Sequence, residues 1–225
     1  FPPEGFTLEW YAKVLTEPEA QAALIVSLKL AFVSTLAALS LGIPCAMALV
    51  RIPFPGRGAV LGLILGPLVV PLIVTGVGLL QFFSSLGLRG AFLQMWIGHT
   101  VVCLPYVVRS VSGALATADP TQEDAARVLG AGPLRVFTRV IWPQIRSGVA
   151  AGGIFAFIIS FDDFAISMWL ADARSFPLPL YLYIAIQRFF DPSIAALSAL
   201  MVLFALGLVL LIEKGLGIGV RRIAG

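Results

Sequence analysis

Five stretches of this chain, about 20–50, 58–83, 91–117, 148–170 and 192–213, are long and continuously apolar, and they limit what it can fold into before any other feature does. A helix that crosses a hydrocarbon layer of roughly 30 Å needs about 20 such residues. Inside a bilayer every backbone N–H and C=O must be bonded within the protein, which leaves helices and closed barrels. The runs lack the ten-residue alternation of a barrel strand, so the expected fold is an all-α membrane protein with five spanning helices. Composition agrees, with 59% hydrophobic and 12% charged residues and a mean hydropathy of +0.99. Soluble domains carry about 45–50% apolar and about 25% charged residues.

The bases in the short loops orient the spans. Arg51, Arg57, Arg109, Arg127, Arg135, Arg139, Arg146, Lys214, Arg221 and Arg222 fall on one side, against Lys13, Arg89, Arg174 and Arg188 on the other, so the richer side is expected to be cytoplasmic. The net charge of +3 is scattered over these loops and forms no stripe, which argues against a nucleic-acid partner. Residues 1–19 are then expected on the outer side, which is the periplasm if the membrane is a bacterial inner one, with 20–213 the membrane domain carrying a cytoplasmic segment at 118–146, and 214–225 a cytoplasmic tail. The first twenty residues hold four glutamates and one lysine and do not read as a signal peptide, so a further helix upstream of Phe1 is expected. Cys45 and Cys103 lie inside spans without metal-ligand spacing and read as packing residues.

The segment 118–146 contains EDAARVLGAGPLRVFTRVIWP, with five charges, two glycines and two prolines between apolar runs. Thr121 ahead of acidic residues marks a helix start, and Gly130 marks its end. A second short amphipathic stretch follows Pro133 and is expected to end at Pro143. Small Ala125 and Ala126 on the first helix leave room for a partner protein to approach, as in helix-in-groove recognition.

Asp124-Ala125-Ala126, three residues, Gly130, nine residues and Val140-Ile141-Trp142-Pro143 resemble the EAA motif, EAA-x3-G-x9-I-x-L-P, of ABC importer membrane subunits. Asp124 replaces the usual Glu and Trp142 the usual Leu. GHTVVCLPYVVRSVSGAL, SFDDFAIS, LPLYLYIAIQRF and FDPSIAALSAL extend the resemblance to type I importer permeases of the polyamine (spermidine/putrescine) branch. The resemblance implies the type I importer fold, usually of six spans, so the first would be absent here. It also implies a bacterial inner-membrane location, a second homologous permease, ATPase subunits docked at Asp124, Ala125, Ala126, Gly130 and Pro143, and a periplasmic binding protein. This chain has no GxxxxGK[ST] loop, so Mg-ATP would be bound and hydrolysed by the partner ATPase, and no catalytic residue, metal or cofactor is expected in this subunit.

Asp162 and Asp163 fall inside the fourth expected span, where a carboxylate costs roughly 2.5–3.5 kcal/mol and should face a cavity, a partner or a base. Neighbouring helical positions point about 100° apart, so one is expected to line a solute path while the other bonds a neighbouring helix. The rival reading is structural, with the pair capping a kink or bridging subunits. Lys29, in the first span, either pairs with one of them or extends along its aliphatic stem toward the interface. His99 reads as a helix–helix hydrogen-bond partner, and Gly62, Gly66, Pro67, Pro71, Gly76 and Gly78 as a source of kinks and close packing in the second span.

A polyamine is the expected solute, although Leu72 stands where that branch often carries an acid. Alternatives are another organic cation, an amino-acid-like or phosphonate compound, or iron. An ion-coupled secondary transporter using Asp162 and Asp163 is the rival class.

Overall fold

The computed structural model describes residues 7–188 and 191–216, with side-chain surroundings as far as residue 211. Residues 1–6, Phe189 of the LPLYLYIAIQRF stretch, Phe190 of the FDPSIAALSAL stretch, and residues 217–225 with Arg221 and Arg222 of the expected tail lie outside the described residues. Eleven α-helical segments follow in order: α1 (Glu9–Thr16), α2 (Pro18–Arg51), α3 (Arg57–Leu65), α4 (Leu72–Ser85), α5 (Ala91–Thr117), α6 (Pro120–Val128), α7 (Pro133–Val136), α8 (Trp142–Phe161), α9 (Ser167–Leu170), α10 (Leu178–Arg188) and α11 (Ser193–Leu216).

Four helical rods are long and apolar enough to cross a membrane: Pro18–Arg51, Ala91–Thr117, Pro133–Phe161 and Ser193–Leu211. The second expected span, 58–83, is not a straight helix. Arg57–Leu68 and Leu72–Ser85 meet at 106°, so this stretch is a broken span or a re-entrant pair. Gly66-Pro67-Leu68 forms a 3-10 turn, and Pro71, with extended backbone (φ −55°, ψ 129°), starts α4 as its N-cap. A proline lacks the N–H that would continue the ladder and pushes the residue before it out of the helical region, which is why the break falls there.

The fourth span also differs from expectation. It begins at Pro133, not near 148, and ends at Phe161, not near 170. Its 29 residues reach about 43 Å, more than the hydrocarbon thickness, so its first turns, with Arg135 and Arg139, extend beyond the apolar layer. Pro143 does not end a short helix; it lies in the first turn of α8. Before it, Phe137–Ile141 widens into a π turn in which the Trp142 N–H bonds the Phe137 carbonyl five residues back. The wider ladder makes room for the proline ring, and the Gln144 side chain donates to the Val140 carbonyl at 2.9 Å.

α2, α5 and α8 pack as the central trio. Their shared core joins Ala38, Ala46 and Leu49 to Cys103, Val107, Val111 and Leu115 and to Ile145, Val149 and Ala156. Close approach depends on small residues. A Cβ on Gly148 would sit 2.6 Å from the Ala114 Cβ and 2.7 Å from the Ser110 carbonyl oxygen, and one on Gly152 would lie 3.0 Å from the Val107 Cα. Gly148 and Gly152 therefore act as a small-xxx-small stripe against α5, the usual way for helices to associate where lipid offers no hydrophobic drive. Trp96 ties α5 to α2 through a bond to the Val33 carbonyl at 3.2 Å, and the Cys103 thiol donates to the Ala156 carbonyl of α8.

At the end of the molecule away from Arg51, a second core joins Val14 of α1, Ala23 and Ala31 of α2, Phe161, Leu178 of α10 and Leu197 of α11. Phe157 and Phe161 stack, and Phe204 of α11 packs on both. Lys13 of α1 forms a salt bridge with Asp191, and this cation, with the Ser193 N–H, holds the Asp191 carboxyl below the usual carboxylate range.

The contrast among glycines gives a measurable expectation. Gly148→Ala should lower stability by about 1–3 kcal/mol because backbone atoms of α5 must move. Gly113→Ala, with open space around it, should be neutral or gain up to about 1 kcal/mol from helix propensity. Unfolding midpoints in detergent check the pair; equal midpoints for the two variants would show that α5 and α8 are not held at this distance.

Candidate functional site

Three places concentrate polar groups on this apolar scaffold. The first is the expected cytoplasmic segment. α6 starts at Asp119, not Thr121: the Asp119 carboxylate accepts the Thr121 N–H at 2.9 Å, and Pro120 fills the first helical position. Hydrogen bonding from Thr121 holds the Asp119 carboxyl below its usual range. Asp caps better than a threonine two residues inside because its carboxylate reaches the free amides of the first turn.

Gly130 closes α6 with φ +82°, a left-handed conformation that other L-residues enter at a cost of about 1–2 kcal/mol. Its N–H bonds the Arg127 carbonyl at 2.9 Å, and the Ala131 N–H reaches back to the Ala126 carbonyl at 2.9 Å. These two bonds make a Schellman cap, with Ala126 and Ala131 both packed on the central core. Gly132 and Pro133 then start the long rod to Phe161. Ala126 is half-buried against the core, whereas Asp124 and Ala125 face outward. Val128 and Leu129 are each 87% exposed and Leu134 is 75% exposed, which leaves an apolar knuckle around the elbow. Pro143 is apart from this surface, inside the rod.

The second place is the end of α8. Asp162 and Asp163 are not within a continuous helix, because α8 stops at Phe161 and the backbone reforms a helical turn only at Ser167–Leu170. Asp163 is buried, and one of its oxygens accepts the N–H groups of Ile166 and Ser167, both at 3.0 Å. It therefore caps the turn that follows. The same oxygen lies 3.4 Å from Nε2 of His99, whose ring also bonds Ser160 through Nδ1 at 2.9 Å and Ser167 through Nε2 at 3.1 Å. His99 is thus a bond between α5 and both sides of the break. The gap enclosed by these groups with Cys103 has no room for a water molecule.

Asp162 ends α8, its N–H bonded to the Ile158 carbonyl, with its side chain exposed. Lys29 is also exposed and pairs with neither aspartate; among the described residues it has no carboxylate partner. The three intramembrane charges are therefore not brought together as a site. The turn after the break is held by α4, where Gly76 lies so close that a Cβ would meet Trp169 at 2.7 Å and the Ala165 carbonyl oxygen at 3.0 Å. Gly62, Gly66 and Gly78 show no comparable approach. Among the described residues no group of three or more metal-ligating side chains comes together.

At the end opposite α6, a cleft of about 680 Å³ opens between α1, α2, α10 and the start of α11. Lys13, Arg174 and Arg188 line it together with Glu17, Glu19 and Asp191, a balanced set of charges. Sequence reading did not find this cleft, since its residues come from segments more than 150 positions apart. It also missed Glu123 and Arg51, which hold α6 to the bundle; the Glu123–Arg127 spacing of four was visible, but the Arg51 partner was not.

Comparison with known proteins agrees with this architecture. Residues 38–223 match the family model for binding-protein-dependent transport system inner membrane components. The molybdenum transport system permease protein ModB of Mycobacterium tuberculosis is 36% identical over 231 residues, covering 94% of this chain and 83% of the relative. The putrescine transport system permease protein PotI of Escherichia coli K12 is 33% identical over 213 residues, covering 91% and 75%. Among solved structures, an ABC transporter for import of the acidic polysaccharide alginate superposes with a TM-score of 0.76 at 16% identity, over 100% of this chain and 87% of that one. An amino acid ABC transporter matches with a TM-score of 0.70 at 22% identity, over 93% and 98%. The chain belongs to the family of inner-membrane components of binding-protein-dependent transport systems, as a multi-pass permease subunit with the fold of ABC importer membrane domains.

Proposed function

We propose that this permease works with a second homologous permease, with ATPase subunits that bind Mg-ATP against α6 and its elbow, and with a periplasmic binding protein that delivers the solute. It moves a small organic cation of the polyamine class. The observation that carries the solute reading is Asp162, an exposed carboxylate at the break of a membrane helix, without a cationic partner among the described residues. Helix breaks lined by protein are where transporters place solute contacts, because irregular backbone at that depth is tolerated only in a cavity or inside the protein. Asp162 would offer a cation the Coulomb attraction that replaces lost hydration. Asp163 serves it from behind by holding the turn, and is a positioning residue. The likeness to PotI supports a cationic solute.

A second reading, an oxyanion, is favoured by the likeness to ModB and by the exposed, unpaired Lys29. The two differ in the sign of the charge that matters, so one uptake experiment separates them. Cells carrying the complete system are given labelled putrescine, spermidine and molybdate in turn. On the cationic reading, polyamine uptake falls roughly tenfold in Asp162→Asn, about 1.4 kcal/mol, while the amount of assembled importer is unchanged. Asp163→Asn lowers the amount of assembled importer instead. Uptake of molybdate alone, abolished by Lys29→Gln and indifferent to Asp162→Asn, would replace the cationic reading with the anionic one.

The coupling role of the elbow has its own test. Gly130→Val, which must enter the left-handed region with a branched side chain, should weaken capture of the ATPase subunits by the purified permease about tenfold, whereas Gly130→Asn, which tolerates that region, should retain most of it. Equal capture by both variants and the natural chain would remove this surface from ATPase docking.

A further inference from the structure

The two neighbouring acids at the start of α6 point to different worlds. The Asp124 side chain is 71% exposed and pairs with Arg127 at the surface, at 2.7 Å. Glu123 is only 3% exposed, and its carboxylate is held between two arginines. Arg51 donates from Nε to Oε1 at 2.9 Å and its Nη2 lies 2.8 Å from the same oxygen; Arg127 donates to Oε2 at 3.3 Å. A carboxylate taken out of water is tolerated only when its charge and lone pairs are met, and here they are.

Arg51 is placed to do more than neutralise. It is the last residue of α2, where a cation also sits favourably over the terminal carbonyls. Its Nη2 donates at 3.3 Å to the carbonyl of Ala118, the residue that closes α5. One guanidinium thus joins the ends of α2 and α5 to the buried face of α6. Among the described residues, Arg51–Glu123 is the one salt bridge between α6 and a membrane-spanning helix. The chain itself connects α6 to α5 and to the rod of α8, but α2 is separated from α6 by about seventy positions, so a force on α6 reaches α2 only through side chains. A planar fork bonded at two of its nitrogens fixes direction as well as distance, which a lysine ammonium cannot do.

We propose that Arg51 and Glu123 are positioning residues forming the joint that passes displacement of α6 to α2, so that α2 moves together with the α5–α8 pair during transport. The proposal rests on α6 being the element that receives the ATPases, and its test separates the two claims.

The complete importer, with both permeases, the ATPase subunits and the binding protein, is reconstituted in nanodiscs with nitroxides at exposed Gln122 of α6 and exposed Leu41 of α2. Distances are read by double electron–electron resonance, without nucleotide and after trapping with Mg-ATP and vanadate. In the natural pair the α6–α2 distance keeps one distribution in both states. In Glu123→Gln and Arg51→Gln it broadens and shifts on trapping. ATP hydrolysis persists, while uptake per ATP of whichever of putrescine, spermidine and molybdate the natural system carries falls about tenfold. The double variant is no worse than either single one, because each removes the same joint. A purely structural role would lower the amount of complex, with hydrolysis and uptake falling in proportion.

Arg51→Lys keeps the charge and loses the fork. It decides the matter if the glutamine variants fail to assemble: a broadened distance with reduced uptake per ATP supports the joint. An unchanged distance with natural uptake per ATP, in Arg51→Lys or in assembled Glu123→Gln, overturns it. Failure of the natural permease to retain the ATPases would instead overturn the docking role of α6 on which the joint depends.

Discussion

In hydrocarbon, every backbone amide that a helix releases must be caught by the protein itself, and most of this structure can be read as the answer to that demand. α8 releases its ladder at Phe161, and Asp163 takes up the first free amides of the next turn, those of Ile166 and Ser167. The capping carboxylate then needs support of its own, and His99 and Ser167 stand beside it. With His99 also bonded to Ser160, the break is pinned to α5 from both sides. The exposed neighbour, Asp162, takes no part in this network beyond its own N–H, which closes α8 on the Ile158 carbonyl.

The same accounting governs the opposite end of the rod, with different means. There the backbone turns near water, so a glycine in the left-handed region and two reverse hydrogen bonds suffice for the cap of α6. The exposed knuckle of Val128, Leu129 and Leu134 has no packing role in this chain, while the half-buried Ala126 and Ala131 press the elbow onto the core. The elbow thus leaves its largest apolar side chains outward and its smallest inward, the inverse of an ordinary soluble surface.

What the sequence made legible follows from range. Apolar length announced the all-α membrane fold, and local turn chemistry announced the end of α6 at Gly130, because both are written in adjacent residues. Boundaries set by competition were harder. Pro143 looked like a stop, yet a π turn absorbs it, and the rod begins earlier, at Pro133 after the extended Gly132, with turns whose arginines hid them from a hydropathy reading. The Asp pair looked buried in a span because the hydropathy of Phe164–Leu170 continues past it; only the capping bonds reveal that the helix has already ended. Pairings across the chain, Glu123 with Arg51 and His99 with Asp163, left no trace in spacing. Nor could spacing show that Lys29 and the aspartates stand apart.

These long-range pairings also set what can move as one body. The rod from Pro133 to Phe161 carries the elbow at one end and the capped break at the other. Between them, Gly148 and Gly152 bring it to backbone contact with α5. Two helices in such contact cannot slide independently without opening voids, since packed interiors shift between discrete arrangements and do not deform smoothly. α5 and α8 therefore form a closely packed pair, and the π turn at Phe137–Ile141 is the one place in the rod where the hydrogen-bond ladder is already widened. Bending there would alter the elbow without disturbing the glycine contacts, whereas bending farther along would have to break them. The position of the π turn, ahead of Pro143 and outside the glycine stripe, leaves the elbow adjustable and the deep part of the rod rigid up to the break at Asp162.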